Sequence, residues 1–152
     1  MLFKYTSIAN ANIDSMMRIY SQSINNKTWQ AECRFIEDLR LFFACKNAFV
    51  ALWDDCGVAV AAVRSEPYRD GYLITCLETA PEKRRMGYAS ALLTELINNV
   101  PGAYYSHVKK NNRPSLYLHK KLGFEIFLDH AVHVDGSVYS DSYTMKYEKN
   151  RC

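Results

Sequence analysis

The stretch from Tyr72 to Ile97 limits what this chain can fold into more than any other part of it. An apolar run with strand character, Tyr72-Leu-Ile-Thr-Cys-Leu77, leads into a basic turn, Pro81-Glu82-Lys83-Arg84-Arg85-Met86-Gly87-Tyr88-Ala89-Ser90. A helical pattern, Ala91-Leu-Leu-Thr-Glu-Leu-Ile97, follows at once. The first N–H groups of a helix have no intrahelical partner, and the helix dipole favours negative charge there. Gly87 and Ala89 let a ligand approach the backbone closely, while Lys83, Arg84 and Arg85 add positive charge. The turn suits a diphosphate. An ordinary strand–helix turn with solvated charges would use the same residues, so the choice rests on the rest of the chain.

Periodicity supplies the surrounding elements. Phe3–Ile8 reads as a strand. Ile13, Met16, Met17, Tyr20 and Ile24 then recur at helical spacing behind Asn10 or Asn12 as the cap. Asn25–Thr28 breaks that helix, and a second one carries Phe35, Ile36, Leu39, Phe42 and Phe43 on one stripe. Strands at Ala48–Trp53, Val58–Val63 and Tyr72–Thr79 are joined by Asp54–Gly57 and by Asp70-Gly71. A helix over Tyr88–Asn98 stops at Asn99-Val100-Pro101-Gly102. It is followed by a strand, Ala103–Val108, and a short helix from about Arg113 to Lys121 with Gly123 beyond its end. Phe124–His133 and Val138–Tyr147 then pair around Asp135-Gly136. Three antiparallel strands followed by β–α–β predict an α/β fold: a mixed sheet of six to seven strands with helices on both faces. With no repeat, linker or low-complexity tract, residues 1–152 read as one domain.

Composition narrows the class. The chain is 49% hydrophobic and 23% charged, within the globular range, and no apolar run reaches the ~20 residues of a membrane span. Its N-terminus lacks a signal-peptide pattern, so a cytoplasmic protein is expected. Cys33, Cys45, Cys56, Cys76 and Cys152 are odd in number with no C-x-x-C pair, and three sit in apolar-rich surroundings, predicting buried free thiols. A net charge of +3 without a basic tract argues against nucleic acid. His130 and His133 would point to opposite faces of a strand and no cysteine joins them, so no metal site is expected.

A second pattern lies downstream, Val108-x-x-x-Asn112-x-x-Ser115-x-x-Leu118-His119-x-x-Leu122-Gly123-Phe124-Glu125. At 100° per residue Asn112 and His119 fall within ~20° on one helix face, with Ser115 on the same side and Tyr117 about 160° away. This polar stripe is expected to face away from Leu118 and Leu122. Pro114 fits the first turn, leaving Asn112 free to cap it. Together, Arg84-x-x-Gly87-x-Ala89 and this second pattern resemble the paired signatures of the GNAT superfamily, the acyl-CoA-dependent N-acyltransferases. The resemblance covers roughly residues 72 to 125, and the element order agrees over the rest.

The resemblance implies an N-acetyltransferase that binds acetyl-CoA where the strands of Tyr72–Thr79 and Ala103–Val108 splay apart. It implies that the diphosphate rests on the loop residues Arg84, Arg85, Met86, Gly87, Tyr88, Ala89 and Ser90. The pantetheine arm would pair with Leu77 and Thr79, and Asn112 and Ser115 would contact the cofactor. An amine would attack the thioester, a backbone N–H near Leu77 would hold the oxyanion, and a side chain would protonate the leaving thiolate. Members usually carry tyrosine there. This chain has His119, which can fill the role of acid, with Tyr117 as an alternative on the wrong face. Glu78 is the candidate base, or else a carboxylate paired with Lys83 or Arg84, and His107 is a second candidate. If Ser106 faces one side of the sheet, His107 faces the other, so only one is expected in the cleft. The acceptor is a small-molecule or peptide amine, with Trp29, Tyr20, Phe35 and Tyr139 placed near it. Exposed edge strands suit a homodimer. An acyl-CoA-binding module without turnover is the alternative.

Overall fold

The computed structural model describes residues 1–22, 24 and 28–149. Its elements follow in the order β1 (Leu2–Tyr5), α1 (Ile13–Ile19), α2 (Trp29–Ala44), β2 (Phe49–Asp55), β3 (Val58–Tyr68), β4 (Gly71–Thr79), α3 (Tyr88–Asn99), β5 (Ala103–Lys109), α4 (Arg113–Lys121), β6 (Glu125–Leu128), β7 (Ala131–Val132), β8 (Val138–Tyr139) and β9 (Ser142–Tyr147). Seven strands form one sheet in the order β1-β2-β3-β4-β5-β9-β6, and β7 and β8 form a separate pair. β4 and β5 run parallel across the α3 crossover, and the neighbouring pairs are antiparallel. The mixed α/β sheet read from periodicity is the one observed.

Both faces of the sheet are covered, so its central strands are apolar in runs rather than in alternation. Phe49, Ala51, Val63 and Ile74 pack with Leu92, Leu93 and Leu96 of α3 on one face. Val50, Leu52 and Ala62 pack with Met16, Ile19, Phe35 and Leu39 of α1 and α2 on the other. Each fully buried leucine contributes roughly 1.5–3 kcal/mol through this burial. Side-chain caps fix the helix starts: Asn12 accepts from the Ser15 N–H at 3.1 Å and Thr28 from the Ala31 N–H at 3.2 Å. Of the expected helix break, Asn25, Asn26 and Lys27 lie outside the described residues; Thr28 is the cap of α2. Among the described residues no helix is long and apolar enough to cross a membrane.

Three expectations need correction. The first strand ends at Tyr5, because Ser7 donates to the Asn10 side chain and Ile8–Asn10 closes into a 3-10 turn. The last hairpin divides: β6 pairs with β9, while Ala131–Val132 leaves the sheet to pair with β8. Thr144 Oγ1 donates to the His130 carbonyl at 2.8 Å, pinning the chain where it turns off the ladder. Cys33, Cys45, Cys56 and Cys76 are exposed free thiols, whereas burial was expected of three of the five; Cys152 lies outside the described residues. Cys33 and Cys45 sit on the outer side and at the end of α2, Cys56 in the β2–β3 turn, and Cys76 at an irregularity in β4.

Candidate active site

β4 and β5 are hydrogen-bonded only from Gly71↔Ala103 to Ile74↔Ser106. At the closed end a Cβ on Gly71 would lie 2.0 Å from the Ala103 carbonyl oxygen, so only glycine permits that approach. Beyond Ile74 the strands part. Against β3, Arg64 pairs with Thr75 but Ala62 with Glu78, so two steps on β3 span three on β4. This bulge places Cys76 at φ 50°, in the left-handed region, and an extra residue of this kind bends a strand away from its neighbour. Tyr20, buried under α1, donates its hydroxyl proton to the Cys76 carbonyl at 2.8 Å and holds the bulge from below. Beyond the fork β5 keeps only its pairing with β9 on the other edge, leaving the β4 edge from Thr75 to Thr79 facing a gap.

Two neighbouring cavities occupy this gap. One, of about 230 Å³, is lined by Ile74, Thr75, Cys76, Leu77, Glu78, Ser106, His107, Ser115 and His119. The other, of about 480 Å³, is lined by Leu77, Glu78, Thr79, Arg84, Ala89, Asn112, Pro114, Ser115 and Leu118. They share Leu77, Glu78 and Ser115, so both sequence patterns meet in one cleft. Leu77, Glu78, Thr79, Arg84, Ala89, Asn112, Ser115 and His119 are brought together. Arg85, Met86, Gly87, Tyr88 and Ser90 do not line either cavity and belong to the loop and first turn of α3 beside it. Arg84 Nε donates to the Thr79 carbonyl at 3.4 Å, folding the loop back on the end of β4. Gly87 begins α3 at φ 83°, and a Cβ there would meet nothing within 4 Å, so the loop is open to a ligand. The Ala91 N–H bonds to Gly87 O at 3.0 Å; the N–H groups of Tyr88, Ala89 and Ser90 precede that first intrahelical bond. The Tyr88 side chain turns away, donating to Asp55 Oδ2 at 2.6 Å, so the residue can offer a ligand its backbone only.

On α4, Asn112 caps the helix by accepting from the Ser115 N–H at 3.2 Å. His119 is 2% exposed, its ring set edge-on to Phe124. Its Nδ1 is 2.7 Å from the Ser115 carbonyl. A carbonyl can only accept, so Nδ1 carries the hydrogen and the neutral ring presents a bare Nε2. That nitrogen is buried without a hydrogen-bond partner among the described residues. Burial lowers the His119 pKa below the ordinary imidazole value, with the bond to Ser115 opposing it. The neutral ring on the cleft wall is therefore left with a bare Nε2, where an acid would need an N–H. Leu118, placed opposite the polar stripe by the helical wheel, instead lines the cleft with it, while Tyr117 is 70% exposed.

The expected exclusion of Ser106 by His107 does not hold, because both residues line the gap. His107 lies with Tyr68 at 5.8 Å and His133 at 4.8 Å between ring centres, and Tyr139 meets His133 edge-on at 4.6 Å. Burial, then the charges of His133 and Arg69, push the His107 pKa down to about 4. Of the aromatic residues expected near an acceptor, Tyr20 and Phe35 are core, Trp29 is 75% exposed and Tyr139 half exposed. No local sequence signal marks the bulge at Cys76 or the His107–His133 contact; both depend on distant pairing. Among the described residues no cluster of three or more histidine, cysteine or acidic side chains is arranged for a metal.

Known proteins share this architecture. The chain superposes with a TM-score of 0.65 on the ribosomal-protein-S18-alanine N-acetyltransferase of Escherichia coli, at 17% identity, covering 100% of this chain and 99% of that one. A GNAT-family acetyltransferase of Bacillus cereus gives 0.69 at 18% identity, covering 99% of each chain. An aminoglycoside 6'-N-acetyltransferase solved with coenzyme A gives 0.67 at 11% identity, covering 97% of this chain and 96% of that one. No curated protein matches the sequence. At these identities the likeness speaks for the fold alone. The model of the acetyltransferase (GNAT) family matches residues 13–124, most of the chain and every residue of the cleft, and the chain belongs to that family of acetyl-CoA-dependent N-acetyltransferases.

Proposed function

We propose that the protein transfers the acetyl group of acetyl-CoA to a primary amine of a small molecule or of a peptide or protein. The observation that carries this is the single cleft in which the free β4 edge, the start of α3 and the Asn112–His119 face of α4 meet. The N–H groups at the start of α3, with Arg84 and Arg85, would hold the diphosphate. Leu77 and Thr79 would pair with the pantetheine amides as an added strand does, and Asn112 and Ser115 would wall the other side. Residues 1–152 then act as one catalytic domain, in the cytoplasm.

The proton inventory assigns the remaining roles. An ammonium must lose two protons to become an amide, and the departing thiolate must gain one. Glu78, on the wall of both cavities, would take the first, directly or through water, and pass it to solvent. His119 Nε2 would accept the second from the nitrogen after it has attacked the acyl carbon, then deliver it to the sulfur as the C–S bond breaks. His119 thus acts as an acid that the reaction itself loads, consistent with a neutral resting ring. An acyl-CoA-binding module without turnover is the second reading, favoured by the same absence of a preloaded acid.

Thiol release from acetyl-CoA over a panel of amines separates the two. His119→Ala should lower turnover about a hundredfold with acetyl-CoA affinity nearly unchanged. Gly87→Glu should weaken acetyl-CoA binding by setting bulk and negative charge at the loop. Stabilisation by acetyl-CoA with no thiol release for any amine would leave the binding module. Normal acetyl-CoA affinity in Gly87→Glu would remove the loop from the site.

A further inference from the structure

Cys76 differs from the other described cysteines in one respect. Cys33, Cys45 and Cys56 are exposed on α2 and in the β2–β3 turn, whereas Cys76 is an exposed thiol on the wall of the gap itself. The β4 bulge fixes it there. A non-glycine residue in the left-handed region is held against its own preference, here by the Tyr20 bond to its carbonyl, at the point where the β4–β5 ladder ends. The same gap is walled by His119, 2% exposed, whose Nε2 lone pair is buried without a partner and calls for a hydrogen donor.

Resting on the acetyl-CoA reading above, we propose that Cys76 is itself an acyl acceptor, taking the acetyl group from acetyl-CoA to form a thioester in the gap when no amine is bound. The Cys76 sulfur attacks the acyl carbon, the bond from that carbon to the CoA sulfur breaks, and CoA leaves as thiol. The proton lost by Cys76 is the one CoA gains, with His119 Nε2 as its carrier. One thioester replaces another, so no further reactant is needed, and the ratio of acetyl-CoA to CoA sets the occupancy. An incoming amine would then find the acetyl group on either sulfur.

The test incubates the full chain with acetyl-CoA and no amine, quenches in acid and maps acetylation by peptide mass spectrometry. Cys76 should gain one acetyl group about tenfold faster than Cys33, Cys45 or Cys56. Neutral hydroxylamine should remove the label, and a thioether analogue of acetyl-CoA should suppress it. Cys76→Ser should lose the thioester yet keep its thermal stabilisation by acetyl-CoA, and His119→Ala should slow labelling. Equal labelling of these four cysteines, or stabilisation by acetyl-CoA without acetyl on Cys76, would overturn the proposal while leaving the acetyl-CoA reading intact. Loss of that stabilisation in the unmodified chain would end both.

Discussion

His107→Gln should remove a defined part of the protein's acid sensitivity. The ring faces Tyr68 from β3, Arg69 from the β3–β4 turn and His133 beyond β7. Burial first, then repulsion by His133 and Arg69, lowers its pKa from 6.5 to about 4, against a favourable contact with the Val132 carbonyl. Between those values the unfolded chain binds more protons than the folded one. The stability involved is therefore complete above pH 6.5 and is lost as the pH falls toward 4. An unscreened shift of that size would correspond to ~3 kcal/mol. The ring is only partly buried and solvent screens the two cationic neighbours, so we take about 2 kcal/mol. For a chain of this length that amounts to roughly 6 °C in Tm. Urea melts of the parent and of His107→Gln at pH 7.5, 6.5, 5.5 and 4.5 give the measurement. Titration of His119 and of the carboxylates is common to both proteins and drops out of the difference. The stability gap between them should narrow by about 2 kcal/mol from pH 7.5 to 4.5. Parallel curves across that range would refute the reasoning.

Gly71→Ala should destabilise the protein by roughly 3 kcal/mol in chemical denaturation, since the new Cβ would sit 2.0 Å from a backbone oxygen and force β4 from β5. Gly87→Ala, with nothing within 4 Å of its Cβ, should cost only the left-handed backbone penalty of about 1 kcal/mol; a loss as large as that of Gly71→Ala would contradict the open loop. Tyr20→Phe removes the bond that pins the bulge and should cost about 1 kcal/mol while lowering turnover more than acetyl-CoA affinity; unchanged kinetics would separate the bulge from the chemistry.

Much of the fold was legible because its signals are local. Period 2 giving way to period 3.6 located β4 and α3, and Asn12, Thr28 and Asn112 cap their helices through contacts three residues long. The two family patterns were legible for the same reason, each being a short run on a single strand–turn or turn–helix unit. The final hairpin was not, since a side-chain bond from Thr144 back to His130 decides where β6 ends. Thiol burial was misjudged because apolar neighbours along the chain do not say which side of α2 or β4 faces outward.

By itself the sequence determined the order of the elements, the covered sheet and the two segments that border the cleft, because residue type and spacing act through neighbouring backbone. Only the tertiary structure decided how the cleft works. The extra residue in β4 is counted against β3, not against its own neighbours, and it is this mismatch that opens the gap and turns Cys76 into it. The same holds for the proton on His119. Helical spacing placed the ring on the cleft side, but burial and the Ser115 carbonyl decide that Nδ1 carries the hydrogen and Nε2 is left with a bare lone pair.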